Sequence, residues 1–145
     1  MTERMKRAET LLKESGAACV LITKESRVLE SGENGVRPLM EWLRREPVAL
    51  NGACAADKVV GKAAALLMLF GGISEVYAEI LSEAGEACLR EHGIPYSCGG
   101  RVPYIQNRKR TGMCPMEQCC AGIDSPAEAY ESLGRLIASM NRPKN

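Results

Sequence analysis

The sequence predicts a layered α/β domain. Three observations carry that prediction. Segments with helical apolar spacing alternate with short extended runs through most of the chain. The longest apolar run, residues 63–70, is far too short to cross a membrane. Aromatic residues make up only 4%, so the core must be built from Ala, Leu, Ile, Val and Met.

The elements follow in order. Residues 3–15 predict a first helix, with Ala8, Leu11 and Leu12 on one face. Residues 17–23 (AACVLIT) read as a buried strand, and residues 27–31 as its hairpin partner. Gly32, Asn34 and Gly35 form a loop. Residues 36–45 predict a second helix, with Leu39, Trp42 and Leu43 inward, ending before Pro47. Val48, Ala49 and Leu50 are expected to form a short third strand, and residues 52–56 a loop of small residues. The central helix is expected from about Lys58 to Phe70, capped by Asp57 and stopped at Gly71-Gly72. Residues 75–81 alternate as a strand does. Ser82 caps a helix that runs to about His92, and Gly93 closes it. Residues 96–105 are expected to contain the next strand, placed at Val102–Ile105 and interrupted by glycines. Asn107 to Arg110 is a basic turn, and Cys114-Pro115-Met116-Glu117 opens a short helix. Ser125-Pro126-Ala127-Glu128 is a capping box for a last helix to about Met140. Residues 141–145 are expected to fray.

A chain of 145 residues fits one domain, residues 1–145, and buries about 68–70% of its unfolded surface. A net charge of +1 gives no reason to expect a nucleic-acid partner. The first fifteen residues are charged and amphipathic, with no apolar stretch of the kind a secretory leader needs. A cytoplasmic protein with no membrane partner is expected; a homo-oligomer is left open. The seven cysteines form no CxxC pair, and the spacing of Cys114, Cys119 and Cys120 matches no standard zinc pattern. Several of them read as small buried hydrophobes. No metal and no cofactor is expected.

Four constellations could carry chemistry. Asp57, Lys58, Gly61 and Lys62 lie together at the expected start of the central helix. Free amides and the helix dipole favour anions there. Gly61 would let a ligand approach the backbone, and Lys62 would add a point charge. A cation in a first turn opposes the dipole by roughly 0.3–1 kcal/mol, so a binding role competes evenly with a capping Asp57 and a surface Lys62. Cys114 sits at an expected helix N-cap downstream of Arg108, Lys109 and Arg110, which would lower its thiol pKa, although an ionised Glu117 opposes that and a helix start without chemistry explains the motif too. Glu117 would serve as its proton partner or as a capping-box partner. Asn107 and Arg108 could read a carboxylate, phosphate or base edge, although a solvated turn explains them too. Ser82, Glu83 and Glu86 suit a helix start on structural grounds alone. His92, the one histidine, has no second histidine with which to form a metal site.

The segments Asp57–Leu67 (DKVVGKAAALL), Ile80–Leu89 (ILSEAGEACL) and Ile105–Glu117 (IQNRKRTGMCPME) resemble the family called domain of unknown function 1893, placed in the cytidine deaminase-like superfamily. The resemblance covers residues 17–123. It implies a three-layer α/β/α fold, with a mixed sheet of about five strands and helices on both faces. Active members of that superfamily carry His/Cys-x-Glu at the start of the central helix and Pro-Cys-x-x-Cys at the next, with zinc activating water. Here those motifs fall near Val60-Gly61-Lys62 and near residues 83–87, where Val60, Gly61, Ala84 and Ala87 cannot ligate zinc. Lys62 falls close to the place of the proton-shuttling glutamate. The resemblance further implies that Asp57, Lys62, Asn107, Cys114 and Glu117 gather round one pocket.

The expected function is therefore zinc-free binding of a small polar or anionic ligand, with nucleosides and nucleotides as candidates. Asp57, Lys58, Gly61, Ser82, Asn107 and Arg108 are the ligand-binding candidates. A cysteine-dependent enzyme using Cys114, Lys62 and Glu117, and a non-catalytic interaction protein, are the alternatives.

Overall fold

A computed structural model describes residues 2–141; the expectation for the tail beyond Asn141 lies outside the described residues. The helices are α1 (Glu3–Ser15), α2 (Arg37–Arg45), α3 (Lys62–Gly71), α4 (Glu83–Glu91), α5 (Pro115–Cys120) and α6 (Pro126–Met140). The strands are β1 (Cys19–Ile22), β2 (Val28–Ser31), β3 (Cys54–Val60), β4 (Glu75–Ser82) and β5 (Tyr96–Val102). They form one sheet in the order β2-β1-β3-β4-β5. β1 is antiparallel to both β2 and β3, whereas β3, β4 and β5 run parallel. This is the layered α/β fold that the sequence predicts, with the mixed sheet of five strands that the resemblance implies.

Alternation along the strands divides the core between two faces. Val20, Ile22, Cys54, Ala56 and Tyr77 pack with Met5, Ala8 and Leu12 of α1. Leu21, Ala55, Val76 and Ala78 face the opposite way, towards Leu39 and Leu43 of α2, most of α3, Leu89 of α4, and Ala129 and Leu133 of α6. α3 is buried nearly all round, from Ala63 to Met68. Each fully buried large side chain in these layers contributes roughly 1.5–3 kcal/mol.

Three expectations are corrected. Residues 54–60 are the central strand β3, not a loop and the start of a helix. Cys54, Ala55 and Ala56 read as a loop because they are small. They are small because the strand is covered on both faces, by α1 and by α3, and takes in little volume on either. Asp57 therefore caps no helix; it pairs with Cys19 in β1 and Ala78 in β4. Val48 to Leu50 form no strand. Pro47–Ala49 make one 3-10 turn, and Val48 is 81% exposed. Pro47 lacks the N–H that a sheet ladder needs and fits the first turn of a helix. Strand β5 begins at Tyr96, earlier than expected. Its glycines do not interrupt it: a Cβ at Gly99 would lie 2.8 Å from the Glu79 carbonyl oxygen, so the bare backbone permits the pairing.

Among the described residues no helix is long and apolar enough to cross a membrane.

Candidate functional site

The parallel strands β3 and β4 run directly into α3 and α4, so two helix starts stand side by side at the carboxyl ends of the sheet. This is where open α/β sheets form ligand crevices. Ser82 caps α4, its Oγ accepting the Gly85 amide at 3.0 Å. Gly61 occupies the cap position of α3 and has no side chain to offer. Glu117 of α5 supplies the missing cap. The Lys62 amide donates to its Oε1 at 2.7 Å and the Ala63 amide to its Oε2 at 2.8 Å. The carboxylate is nearly buried and meets the positive end of the helix dipole. Burial pushes the Glu117 carboxyl up from its usual range, while the two amides and the Lys62 charge hold it down.

The two helix starts also touch. A Cβ at Gly85 would come within 3.0 Å of the Gly61 carbonyl carbon and the Val60 oxygen. A Cβ at Gly61 would lie 2.2 Å from Glu117 Oε1. Glycine at both positions is thus a requirement of close approach.

Lys62 turns away from its own helix dipole. Its side chain is 17% exposed, and its ammonium reaches the Ala121 carbonyl at 3.1 Å and Asp124 Oδ1 at 3.2 Å. Asp124, by contrast, is 95% exposed. The two stand at a cavity of about 160 Å³ lined by Lys62 and Leu66 of α3, by Ala84, Ala87, Cys88, Glu91 and the adjoining His92 of α4, and by Asp124. Small residues on α4 create the space. Burial pushes the Cys88 thiol up to about 11, against the pull of Lys62, so it is protonated at neutral pH.

Of the residues singled out in the sequence, Gly61, Lys62 and Glu117 come together, with Ser82 beside them on α4. Cys114 occupies the N-cap position of the six-residue α5 without a side-chain hydrogen bond to it, and its amide donates to the Ile105 carbonyl at 2.9 Å. Both oxygens of Glu117 face α3 rather than the start of α5. Asn107 is spent on its own loop: its Oδ1 accepts the Thr111 amide, and its Nδ2 donates to the Thr111 hydroxyl, both at 3.0 Å. Arg108 is exposed at the tip of that loop. Lys58 lies within β3, its amide bonded to the Ala18 carbonyl at 3.0 Å.

Asp57 stands apart from this site. It is buried, and its Oδ1 accepts the Val59 amide at 3.3 Å, while Oδ2 has no partner. Burial pushes its carboxyl up to about 7, against the lowering effect of the Val59 amide and the Cys19 thiol. The Cys19 thiol is pushed well up in turn, first by burial and then by the Asp57 charge.

Sequence reasoning missed Asp124, Glu91, Cys88 and the role of His92 in lining the cavity. A signal existed for the residues of α4. Ala84, Ala87, Cys88 and Glu91 recur at helical spacing and so share one face, half of it small. Asp124 gave none.

The sequence model of the family described as "Domain of unknown function (DUF1893)" matches residues 7–137. The crystal structure of a DUF1893 family protein from Thermotoga maritima is similar to this chain with a TM-score of 0.81 and 25% identity, over 97% of this chain and 92% of that one. No curated protein matches the chain.

Proposed function

The chain belongs to the DUF1893 family, and from that premise we propose that it is a zinc-free protein of cytidine deaminase-like fold that binds a small polar or anionic ligand. The cavity beside Lys62 is the binding site in this reading. One observation carries it: a mostly buried Lys62 side chain brings its ammonium to a cavity where, among the described residues, one carbonyl and one highly exposed carboxylate are its hydrogen-bond partners. An exposed carboxylate contributes about 0–1 kcal/mol to such a pair, so an entering group can replace it cheaply.

Zinc does not fit the residues at the two helix starts. Gly61 and Lys62 stand at one, Ala84 and Ala87 at the other, and Glu117 fills the space before α3. Cys88 is a single protonated thiol. Among the described residues, no three His, Cys, Asp or Glu side chains are grouped to hold a metal ion. The α3 amides are already satisfied by Glu117, so the reading rests on the Lys62 side chain and not on the helix N-terminus.

Nucleosides and nucleotides are the first ligands to test, because the superfamily likeness brings them in. We take the cytoplasm as the compartment, in keeping with seven free cysteines. Isothermal titration against a panel of nucleosides, nucleotides and small metabolites tests the reading. Binding that Lys62→Ala abolishes supports it; binding that Lys62→Ala leaves unchanged, or no binding by any compound, overturns it.

A further inference from the structure

We propose that the cavity beside Lys62 takes a small zwitterion of amino-acid size. The inference rests on the reading of that cavity as a ligand site and narrows its chemistry.

The lining is uneven in charge. Lys62 is its one cation, whereas Glu91 and Asp124 are both carboxylates. His92 adjoins them, its Nδ1 donating to the Cys88 carbonyl oxygen at 2.9 Å. One cation thus stands against two carboxylates.

Simple ions suit this pattern poorly. An anion alone would take Lys62 from Asp124 and set a third negative charge beside Glu91 and Asp124. A cation alone would draw Asp124 from Lys62 and leave the Lys62 ammonium with one carbonyl as its hydrogen-bond partner. A zwitterion enters between Lys62 and Asp124 as a second ion pair. Its carboxylate meets the Lys62 ammonium, and its own ammonium meets Asp124 and Glu91. No charge then loses its partner, which is what a partly buried charge requires. Because Asp124 is 95% exposed, it is free to make the exchange.

Size points the same way. The cavity of about 160 Å³ falls below the roughly 300–1,000 Å³ typical of pockets for drug-sized ligands. Leu66, Ala84 and Ala87 offer apolar wall to a short aliphatic side chain.

The test is calorimetric titration of the full chain with the common amino acids, then with the des-amino and decarboxylated analogues of the best binder, and with cytidine. The expected result is an amino acid that binds about tenfold or more tightly than either analogue. Lys62→Met should weaken it about tenfold or more, because the Lys62 side chain is mostly buried, and Glu91→Gln should weaken it by less, because Glu91 is exposed. Far-UV circular dichroism confirms that both variants fold. An analogue that binds as tightly as the amino acid, with binding lost in Lys62→Met, overturns the zwitterion and leaves the ligand site standing. So does cytidine binding that is lost in Lys62→Met, with no amino acid bound. If no compound binds, or if binding ignores Lys62→Met, the zwitterion and the ligand site both fail.

Discussion

The Glu117 carboxylate occupies the volume that a side chain at Gly61 would need, with only 2.2 Å between Oε1 and an ideal Cβ. The glycine and the glutamate are therefore one device: an empty position and the distant carboxylate that fills it.

Gly61→Ala should destabilise the fold by about 1–3 kcal/mol, the usual range for overpacking, because the carboxylate must move and release the α3 amides. Glu117→Ala should cost a similar amount through the lost cap. The double variant should cost less than the sum of the two. Urea denaturation of all four proteins measures this, and strict additivity would sink the proposed coupling.

Asp57 should make stability fall as pH rises. Its folded pKa of about 7 lies above the ordinary 3.8, so the folded state holds the proton more tightly than the unfolded chain does. The stabilising contribution is full below about pH 4 and is lost as pH climbs to about 7. The displacement corresponds to at most about 4 kcal/mol, at 1.36 kcal/mol per pKa unit. Asp57→Asn should therefore gain on the wild type between pH 5 and pH 8. A difference between the two proteins that does not vary with pH would refute this.

The Lys62–Asp124 pair should matter little to folding. With Asp124 so exposed, Asp124→Ala should shift stability by less than about 1 kcal/mol. A Tm that falls by ten degrees or more would show that the pair is structural, since about 1 kcal/mol moves Tm by only a few degrees at this size.

The cysteines should separate into two classes of reactivity. Cys88 and Cys120 are buried, with thiols pushed up to about 11 and about 12, first by burial. Cys19 and Cys54 are buried as well, whereas Cys98, Cys114 and Cys119 are half-buried. Alkylation at neutral pH, read by peptide mass spectrometry, should label the second group first, because only an accessible thiolate reacts. Early labelling of Cys88 would contradict the protonated state that burial imposes on its thiol.

The fold was legible wherever the signal lay within a few residues of its effect. Ser82, Gly93 and the Ser125-Pro126-Ala127-Glu128 box mark helix ends by local chemistry, and the structure places the ends there. Strand β3 was not legible. Its small residues answer to two helices pressing from opposite sides, and one of them, α1, lies about forty residues upstream, so no local signal announces that both faces are covered. Asp57 looked like a cap because caps and buried carboxyls use the same residue types. For the site, Lys62 was legible as an awkward cation at a helix start. Its partner Asp124 was not, since the contact spans 62 positions and nothing near Asp124 announces it.

The cap on α3 also orders events in time. The amide of Lys62 waits for a carboxylate that follows it by 55 residues. During synthesis the most apolar helix of the chain emerges first, with its leading amides unsatisfied and Gly61 offering no local substitute. Until the segment carrying Glu117 has been made, those amides can be satisfied only by water. The carboxylate that caps the most apolar helix thus comes from the last third of the sequence, after every strand of the sheet has been laid down.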